Sequence, residues 1–367
     1  MTAGVVFAAR QIGVGMEAFN HTLQGQPEKT AVFSPISLEV DCALFAESLD
    51  TISKAGVSET MGVVIDFEST YRPVMDELMT GTNGLSLTAA RGFCIPEIKL
   101  SLPAHRQFLE RAYGAEVMRL HPRQGAEAWF RAQMDGEMEG FEIDSDLSNA
   151  HSFCFYDLVS VRISWQDSFP AADTRRGAFV TAAGVTNEVE YLSDTREVDT
   201  WETKEFSLLR LPLGSGMWFY AMLPAPGISL ARLRDAIGPS RIDLVLTVTK
   251  SLVEKGVWHG PCQVVLPKID VTSRLDLRPA LSRLRVPQQG LVHVAGECSA
   301  RECVQYARFR LDEGVRMRTS SAEEKKEPGT AARLGEPKRM AFDRPFVFFV
   351  HHEGTASVPV AGQFCGD

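Results

Sequence analysis

Two short stretches of the chain carry residue types whose spacing could support chemistry, one for a dinucleotide and one for a metal ion. The segment from Gly13 to Ala18 (GVGMEA) fits the loosest glycine pattern of a dinucleotide-binding turn, and Glu39 follows about 20 residues later, where such sites place an acidic side chain. That turn requires a buried strand directly before it. The preceding residues 8–11 (AARQ) are polar and continue a helical pattern. We therefore expect no dinucleotide site.

The candidate metal ligands are Cys298, Cys303 and His293, which lie close together in the chain. Four residues separate the two cysteines and no second pair of ligands accompanies them, so the pattern does not predict a metal site. The sequence also has no Gly-x-Ser-x-Gly turn, no P-loop and no His-Glu-x-x-His motif. We expect a protein that is not an enzyme and that uses no metal and no cofactor.

The composition is that of a packed globular protein, with 44% hydrophobic, 23% charged and 9% aromatic residues in a chain of 367. The 38 lysines and arginines against 47 aspartates and glutamates leave a net charge of −9, which argues against a nucleic-acid partner because phosphate binding needs clustered cations. No window reaches the roughly 20 consecutive apolar residues of a membrane helix, so no membrane partner is expected. Because no linker and no repeat divides the chain, we expect a single domain over residues 1–367 and a monomer.

The N-terminus and the cysteines bear on the compartment. The apolar stretch at the start of the sequence stops at Arg10 and has no basic residue before it, which is a poor secretory signal. Seven scattered cysteines are an odd and small number for this length, so the pattern predicts free thiols. We favour the cytoplasm unless a leader precedes this sequence.

Helical periodicity dominates the first third of the chain, and strand alternation dominates the rest. Apolar residues recur at three- and four-residue spacings over residues 5–23, 34–49, 71–79 and 103–113. Strand patterns cover residues 153–165, 208–223, 263–269, 303–311, 344–350 and 356–364. In the first strand pattern, one face carries Phe153, Phe155, Val159, Val161, Ile163 and Trp165. Since helices and strands do not alternate regularly, we expect an α+β fold with large, mainly antiparallel sheets.

One segment interrupts these elements. Between Glu313 and Met340 the chain has seven basic and five acidic residues, no aromatic residue, and prolines and glycines as breakers. Strand patterns lie on both sides of it. The sequence therefore predicts a long exposed loop over residues 313–340 whose two ends are held in buried structure.

The order of several landmarks resembles the serpin family. In family order they are FSPISL at residues 33–38, YGAEV at 113–117, Trp165 with Phe169 and Asp173-Thr174, LRLPL at 209–213 with FYAMLP at 219–224, LPK at 266–268 with LDL at 275–277, and FDRPF at 342–346. Each motif alone is weak, but together they run over almost the whole chain. The sequence is similar to a divergent serpin.

The resemblance implies a serpin-like fold of three mainly antiparallel β-sheets with eight or nine helices, in which residues 313–340 are an exposed reactive-centre loop. In inhibitory members a protease attacks this loop and is trapped as an acyl-enzyme, because the cut loop inserts as an extra strand into the largest sheet. The expected function is therefore inhibition of a serine or cysteine protease by a metastable suicide substrate. The expected partner is the target protease.

The resemblance assigns the hinge of this loop to Glu313 and Gly314, after which alternate side chains must enter the core. The residues on the entering parity are Val315, Met317, Thr319, Ser321, Glu323 and Lys325. The first four are uncharged, as insertion requires, although Met317 is bulkier than the alanine usual in the family. Burying an unpaired Glu323 or Lys325 would cost several kcal/mol.

The cleaved bond is expected, from the family's spacing, near Pro328-Gly329, where proline makes a poor cleavage site. Lys326 and Arg333 are basic residues close by and suit a trypsin-like protease better. We take both as candidate cleavage sites.

The residues that the resemblance places where the largest sheet must open are Ser34, Ser37, Asp157, Trp165 and Gln305. Relatives usually have asparagine at the positions of Asp157 and Ala90 and histidine at that of Gln305, and these side chains form a buried network that holds the sheet closed. Asp157 and Gln305 are able to hydrogen-bond in their place. Glu39 and Asp41 fall within a helix expected to be central, so they require a polar cavity.

Two functions of different class follow from the sequence. The chain is a serpin-type inhibitor with residues 326–334 as bait, or it is a non-inhibitory binding or scaffold protein of serpin fold whose loop does not insert. The resemblance favours the first function. The charged residues of the loop favour the second.

Overall fold

The computed structural model of the chain describes residues 15–16, 19–24, 26–61, 70–80, 84–97, 101–119, 123–138, 141, 143, 151–236, 258–314 and 338–367. Its helices are α1 (Pro35–Glu47), α2 (Thr51–Met61), α3 (Arg72–Met79), α4 (Pro103–Tyr113), α5 (Arg123–Met134), α6 (Leu230–Ala236) and α7 (Arg278–Arg283), with a 3-10 helix at Ala171–Asp173. The helices predicted over residues 34–49, 71–79 and 103–113 are confirmed within two residues at each end. Most of residues 5–23 lies outside the described residues.

The central helix, α1, begins where its sequence directs. The Ser34 hydroxyl caps it by accepting a hydrogen bond from the Ser37 amide at 3.3 Å, and Pro35 occupies the first turn, where no backbone donor is needed. The helix is buried from Pro35 to Ala46 because it packs against strands of both sheets and against two other helices. Glu39 and Asp41 are therefore inside the protein.

The strands are β1 (Ala31–Phe33), β2 (Leu85–Ile95), β3 (Ala115–Arg119), β4 (Ser152–Ile163), β5 (Arg175–Val180), β6 (Thr186–Glu202), β7 (Phe206–Gly214), β8 (Met217–Pro224), β9 (Trp258–Pro267), β10 (Ile269–Asp276), β11 (Ser299–Leu311), β12 (Lys338–Ala341), β13 (Phe346–His352) and β14 (Ser357–Phe364). One sheet has five strands in the order β10-β11-β4-β2-β3. The other has nine, in the order β1-β14-β13-β8-β7-β6-β9-β12 with β5 attached to β6.

The five-stranded sheet is buried on both faces at its central strand, β4. On one face of β4, Phe153 and Phe155 lie in the main core on the side of α1. On the other face, Cys154 and Tyr156 lie in a smaller cluster beneath α5. Burial on both sides explains why β4 is an almost continuous apolar run in the sequence.

The nine-stranded sheet contains all the described strands that lie outside the five-stranded sheet. β6 is 17 residues long and pairs with β5 and β9 along most of its length and with β7 at its end, so it joins β5, β9 and β12 to the other five strands. The described residues therefore form two hydrogen-bonded sheets where three were expected.

The predicted α+β architecture is confirmed. Nine of the twelve strand pairings are antiparallel, and the parallel ones are β11–β4, β12–β9 and β2–β3. Residues 338–340, which the sequence assigns to the end of the loop, begin β12 instead, because they pair with β9. In the part of the chain that the structure describes, no helix is long and apolar enough to cross a membrane.

Candidate functional site

The pairing of β4 with β11 is the feature on which an inserting loop would act. Eleven residue pairs are in parallel register, from Ser152 opposite Ser299 to Arg162 opposite Arg310. Their direct hydrogen bonding leaves no space for a further strand. The sheet is thus closed along this line, the β4–β11 seam.

The predicted hinge begins with Glu313, which is clamped at the end of the seam. Its Oε1 accepts hydrogen bonds from the Thr174 hydroxyl at 2.8 Å and from Lys268 Nζ at 3.3 Å. Its carbonyl accepts one from the Phe169 amide at 3.0 Å. Partial burial raises the pKa of Glu313, but its hydrogen bonds, including those from Thr174 and Lys268, outweigh burial and hold the pKa below its ordinary value. The clamp is therefore ionised at neutral pH.

Asp312, one residue earlier, is fixed through both of its carboxylate oxygens and its carbonyl. Arg162 lies 2.9 Å from Oδ2, and the Gly314 amide donates to Oδ1 at 2.8 Å. The Asp312 carbonyl accepts a hydrogen bond from the Trp165 indole N–H at 2.7 Å. Trp165 is buried and packs edge-on against Phe169. The end of β11 is thus tied to the residues that follow β4.

Gly314 lies three residues beyond the end of β11, and its position demands glycine. Its φ is 76°, in the left-handed region that side chains disfavour. A Cβ there would lie 3.1 Å from Trp165 Cδ1 and 3.3 Å from the Trp165 nitrogen. Both the backbone angle and the close approach to Trp165 therefore exclude a larger residue without strain.

A second group of predicted residues meets near the middle of the seam. Gln305 Nε2 on β11 donates to Asp157 Oδ2 on β4 at 2.9 Å. The same amide group contacts the start of α1, since Oε1 accepts from the Ser34 N–H at 2.8 Å and Nε2 lies 3.3 Å from the Ser34 carbonyl. Gln305 thus links both strands of the seam to the central helix.

Arg91 on β2 completes this network. Its guanidinium donates to the Ser37 hydroxyl at 2.7 Å and to the Tyr113 carbonyl at 3.2 Å. It also lies 3.3 Å from Asp41 Oδ1 and 3.6 Å from Asp157 Oδ1. The polar cavity that Asp41 requires is therefore this network, which joins α1, β2, β4 and β11.

The two carboxyl groups of the network affect each other. Burial raises the pKa of Asp41 well above its ordinary value, and the nearby Asp157 raises it further against the opposing effect of Arg91. The protonated form of Asp41 is thus favoured by its surroundings.

The resemblance to the serpin family predicts Ala90 at the β2 position of this network, and the structure places Arg91 there. Arg91 is the register partner of Asp157, whereas Ala90 faces the opposite side of the sheet, in the cluster beneath α5. A signal was present in the sequence: Arg91 shares a parity with Leu85, Leu87 and Phe93, which makes it a charge on an apolar face.

The opposite face of the seam is bridged by the residues that follow α5. Glu137 Oε2 accepts a hydrogen bond from Ser160 of β4 at 3.1 Å and pairs with Arg310 of β11. Its carbonyl accepts a hydrogen bond from Arg308 of β11 at 2.9 Å. Opening of the seam must therefore break contacts on both faces of the sheet.

The predicted site residues fall into three groups. Those at the end of the seam are Glu313, Gly314 and Trp165, and those near its middle are Ser34, Ser37, Asp157 and Gln305. Asp157 of the second group lies six residues, about 20 Å, from the end of β4 at Ile163, beyond which the first group lies. The residues that lie outside the described part of the chain are Val315, Met317, Thr319, Lys326 and Arg333. The roles of all these residues in hinge movement, cleavage and sheet opening remain predictions.

The structure shows where the two cysteines among the candidate metal ligands lie. Cys298 and Cys303 are buried, and none of the seven cysteines, all of which the structure describes, forms a disulfide bond. Among the described residues, no three His, Cys, Asp or Glu side chains are grouped so as to hold a metal ion.

Known proteins resemble this chain in sequence and in fold. A family model described as Serpin (serine protease inhibitor) matches residues 9–366. Serpin-Z1 of Arabidopsis thaliana is 22% identical, in an alignment that covers 96% of this chain and 93% of Serpin-Z1. Plasminogen activator inhibitor 1 of Mus musculus is 20% identical, in an alignment that covers 95% of this chain and 90% of the inhibitor. The crystal structure of uncleaved ovalbumin has a TM-score of 0.78 at 15% identity, covering 98% of this chain and 99% of ovalbumin. With a family model that spans almost its full length, the chain belongs to the serpin family.

Proposed function

We propose that this serpin inhibits a serine or cysteine protease as a suicide substrate: the protease cuts the reactive-centre loop, and the cut loop inserts into the β4–β11 seam. The partner is the target protease. The inhibitor supplies no catalytic residue of its own and acts by deforming the trapped enzyme.

The observation that carries the proposal is the parallel pairing of β4 and β11, with the hinge at the end of β11. A segment that turns back at Gly314 runs antiparallel to β11 and, because β4 is parallel to β11, antiparallel to β4 as well. Insertion would then replace one parallel pairing with two antiparallel ones, which are slightly more stable per residue. The closed five-stranded sheet is thus a sheet that can accept a sixth strand from its own chain.

The length of the seam favours one of the two candidate cleavage sites. Residues 315–326 number twelve, and the seam has eleven register pairs. A cut after Lys326 would leave a strand of almost the length that the seam can pair. A cut after Arg333 would leave seven residues more, which would have to extend beyond the sheet. We therefore infer that Lys326 is the preferred site for a trypsin-like protease.

The same count bears on the charged residues of the loop. Glu323 and Lys325 would reach the far end of the seam, near Ser152 and Ser299, after insertion. Ser299 is exposed there and Ser152 is 7% exposed, so the two charges lie at the end of the sheet and not in its middle. This position lowers the cost of inserting them.

A second function, a non-inhibitory binding or scaffold protein, is favoured by the contacts of the hinge. Glu313 is held by Thr174 and Lys268, and Asp312 by Arg162 and Trp165. If these contacts hold after cleavage, a protease cuts the loop and departs before insertion. The loop would then serve as a partner surface.

Incubation with trypsin-like, elastase-like and cysteine proteases, followed by denaturing gel electrophoresis, separates the two functions. A covalent band near the summed masses supports inhibition. Clean cleavage of the loop by every protease, with no covalent band, overturns it and supports the second function. Mass spectrometry of the cut chain locates the bond, and a cut before Ser320 or after Lys338 excludes both Lys326 and Arg333.

A pair of adjacent variants provides the matched control. Val315→Glu places a carboxylate on the parity that enters the core and is expected to turn complex formation into clean cleavage, because a buried unpaired carboxylate blocks insertion. Arg316→Glu changes the neighbouring residue of opposite parity and is expected to retain complex formation. Equal loss in both variants would contradict insertion in this register.

A further inference from the structure

The charges buried around the middle of the seam are unequal in number. Asp41 and Asp157 are 0% exposed and Arg91 is 4% exposed, so two carboxyl groups share one guanidinium inside the protein. With both carboxyls ionised, the cluster would bury a net negative charge, which is strongly unfavourable in a low-dielectric interior. One proton bound to the pair of carboxyls makes the cluster neutral.

The buried carboxylate oxygens of the cluster also lack hydrogen-bond donors. Neither oxygen of Asp41 accepts a hydrogen bond from any described residue, although Arg91 Nε lies 3.3 Å from Oδ1, and Asp157 Oδ1 accepts none either. A protonated Asp41 would donate its O–H to Asp157, which lies within hydrogen-bonding reach. A single proton therefore corrects both the charge and the hydrogen bonding.

We propose that the cluster of Asp41, Arg91 and Asp157 holds one proton while the seam is closed and releases it when the seam opens. This proton-linked latch makes opening of the sheet depend on pH. The inference rests on the proposed function in one respect, because opening of the seam is the step that the latch controls. The proton is bound to the closed protein whether or not the loop inserts.

The release follows from which groups move together. β2 and β4 are joined in ten register pairs, from Leu85 opposite Ile163 to Cys94 opposite Cys154, so they shift as one unit. Arg91 and Asp157 lie on that unit and remain paired. Asp41 lies on α1, which packs more extensively on β14 of the other sheet than on β4 and is hydrogen-bonded at Ser34 to Gln305 of β11, so α1 stays behind. Opening therefore removes Asp157 from Asp41 and admits water to the space between them.

The groups of the cluster come from each element around Asp41. Uncharged groups contact its two partners: the Ser37 hydroxyl and the Tyr113 carbonyl contact Arg91, and the Gln305 amide contacts Asp157. The charged or titratable groups that interact with Asp41 are Arg91 on β2, Asp157 on β4 and Cys42 on α1 itself, and Glu39 on α1 interacts with Cys42. Burial and Asp157 are the two largest causes of the raised pKa of Asp41, and opening weakens both.

The direction of the pH dependence follows. In the open state the pKa of Asp41 falls toward its ordinary value of 3.8, so the closed state binds more protons than the open state. Acid therefore favours the closed seam, and opening becomes easier as pH rises from 3.8 to the raised pKa of the closed state. For a single proton the opening equilibrium rises at most about tenfold per pH unit, and it is constant outside this window.

Infrared spectroscopy tests for the proton directly. The intact protein at neutral pH is expected to have the carbonyl stretch of a buried, protonated carboxylic acid, and Asp41→Asn, which replaces the acid by an amide of the same shape, is expected to lose it. Asp343→Asn, which changes an exposed carboxylate, leaves the band unchanged. Absence of the band in the intact protein, or its persistence in Asp41→Asn, overturns the proposal.

Hydrogen exchange of the seam amides tests the link to opening. The ratio of exchange rates in the intact protein to those in Asp41→Asn cancels the intrinsic effect of pH on exchange. This ratio is expected to rise with pH by up to tenfold per unit within the window, for β4 and β11 amides only. A flat ratio overturns the latch.

A second variant keeps the test decisive if Asp41→Asn fails to fold. In Asp157→Asn, Asp41 pairs one-to-one with Arg91 and needs no proton, so both the infrared band and the pH dependence are expected to disappear. Neither readout involves a protease. A protein that forms no protease complex but has the band and the pH-dependent ratio would retain the latch and lose only the proposed function.

Discussion

Arg91 and Asp157 are register partners on β2 and β4, and the guanidinium of the first lies 3.6 Å from the carboxylate of the second. The pair lies against α1 and beside Gln305, at the middle of the line where the sheet would have to open. Relatives are expected to carry neutral side chains in such a network. In this chain the network contains the buried ionisable groups of Asp41, Arg91 and Asp157, whose contacts any opening of the seam would have to rearrange.

Removal of Arg91 is expected to be more damaging than removal of an exposed arginine. Arg91→Met leaves Asp41 and Asp157 without a cation, and breaking a buried ion pair from one side costs about 3–5 kcal/mol. The free energy of unfolding in guanidinium chloride measures the loss. Arg176→Met is the control, because Arg176 is mostly exposed and, among the described residues, its ion pair is with an exposed Glu188 at 3.5 Å. Equal effects of the two substitutions would contradict the role given to Arg91.

Gln305 is expected to hold the seam closed through its hydrogen bonds. Gln305→Leu leaves Asp157 Oδ2 and the Ser34 amide without their partner, at about 1–3 kcal/mol for each unsatisfied group. Gln288→Leu also removes an amide with two hydrogen bonds, but on the surface, and is expected to have little effect. Thermal midpoints compare the two. A stable Gln305→Leu variant would show that the seam does not depend on this link.

The contact of Gly314 with Trp165 can be separated from its backbone angle. Gly184 has the same φ of 76° as Gly314, but a Cβ there would meet nothing within 4 Å. Ala at either position carries the strain of the left-handed conformation, about 1 kcal/mol. Gly314→Ala is expected to lower the melting temperature further, because its Cβ also presses on the Trp165 ring. If both variants melt alike, the close approach has no energetic weight.

The clamp on Glu313 is expected to weaken only in acid. Its pKa lies below the ordinary 4.5, so the stability that its ionised form adds is present above pH 4.5 and is lost as pH falls through the lower value in the folded protein. Amide exchange of residues 312–314, corrected for intrinsic rates, should be constant from neutral pH down to that range and then rise.

Substitution of the two acidic partners of Lys268 checks this assignment. Glu313→Gln is expected to raise exchange of the hinge at neutral pH. Glu190→Gln removes the more distant and more exposed partner, 3.8 Å from Lys268, and is expected to have a smaller effect. A larger effect of Glu190→Gln would contradict the assignment of Glu313 as the acidic residue that fixes the hinge.

Much of the fold was predictable because the spacing of apolar residues along a helix or strand indicates which of its faces is buried. The face of β4 that carries Phe153, Phe155 and Val159 was read from alternation and lies in the main core as expected. The number of sheets could not be predicted, since it depends on how β6 pairs with its chain neighbours β5 and β7 and also with the distant β9.

The site was partly predictable. The hydrogen bond between Gln305 and Asp157 followed from the resemblance together with the chemistry of the two side chains. The place of Arg91 did not, because an error of one residue in aligning a strand exchanges its two faces. The hydrogen bonds of Thr174 and Lys268 to Glu313 join three segments that are far apart in the chain, so no local pattern in the sequence predicts them.

The central claim is that the cut loop enters the β4–β11 seam, and the melting temperature before and after loop cleavage tests it most directly. A single cut within residues 315–337, made by a protease that is then removed, is predicted to raise the melting temperature by tens of degrees, because the sheet gains a sixth strand. The Val315→Glu variant, cut in the same way, is predicted to lack the rise. An unchanged or lowered melting temperature in the cut, unsubstituted protein would contradict insertion.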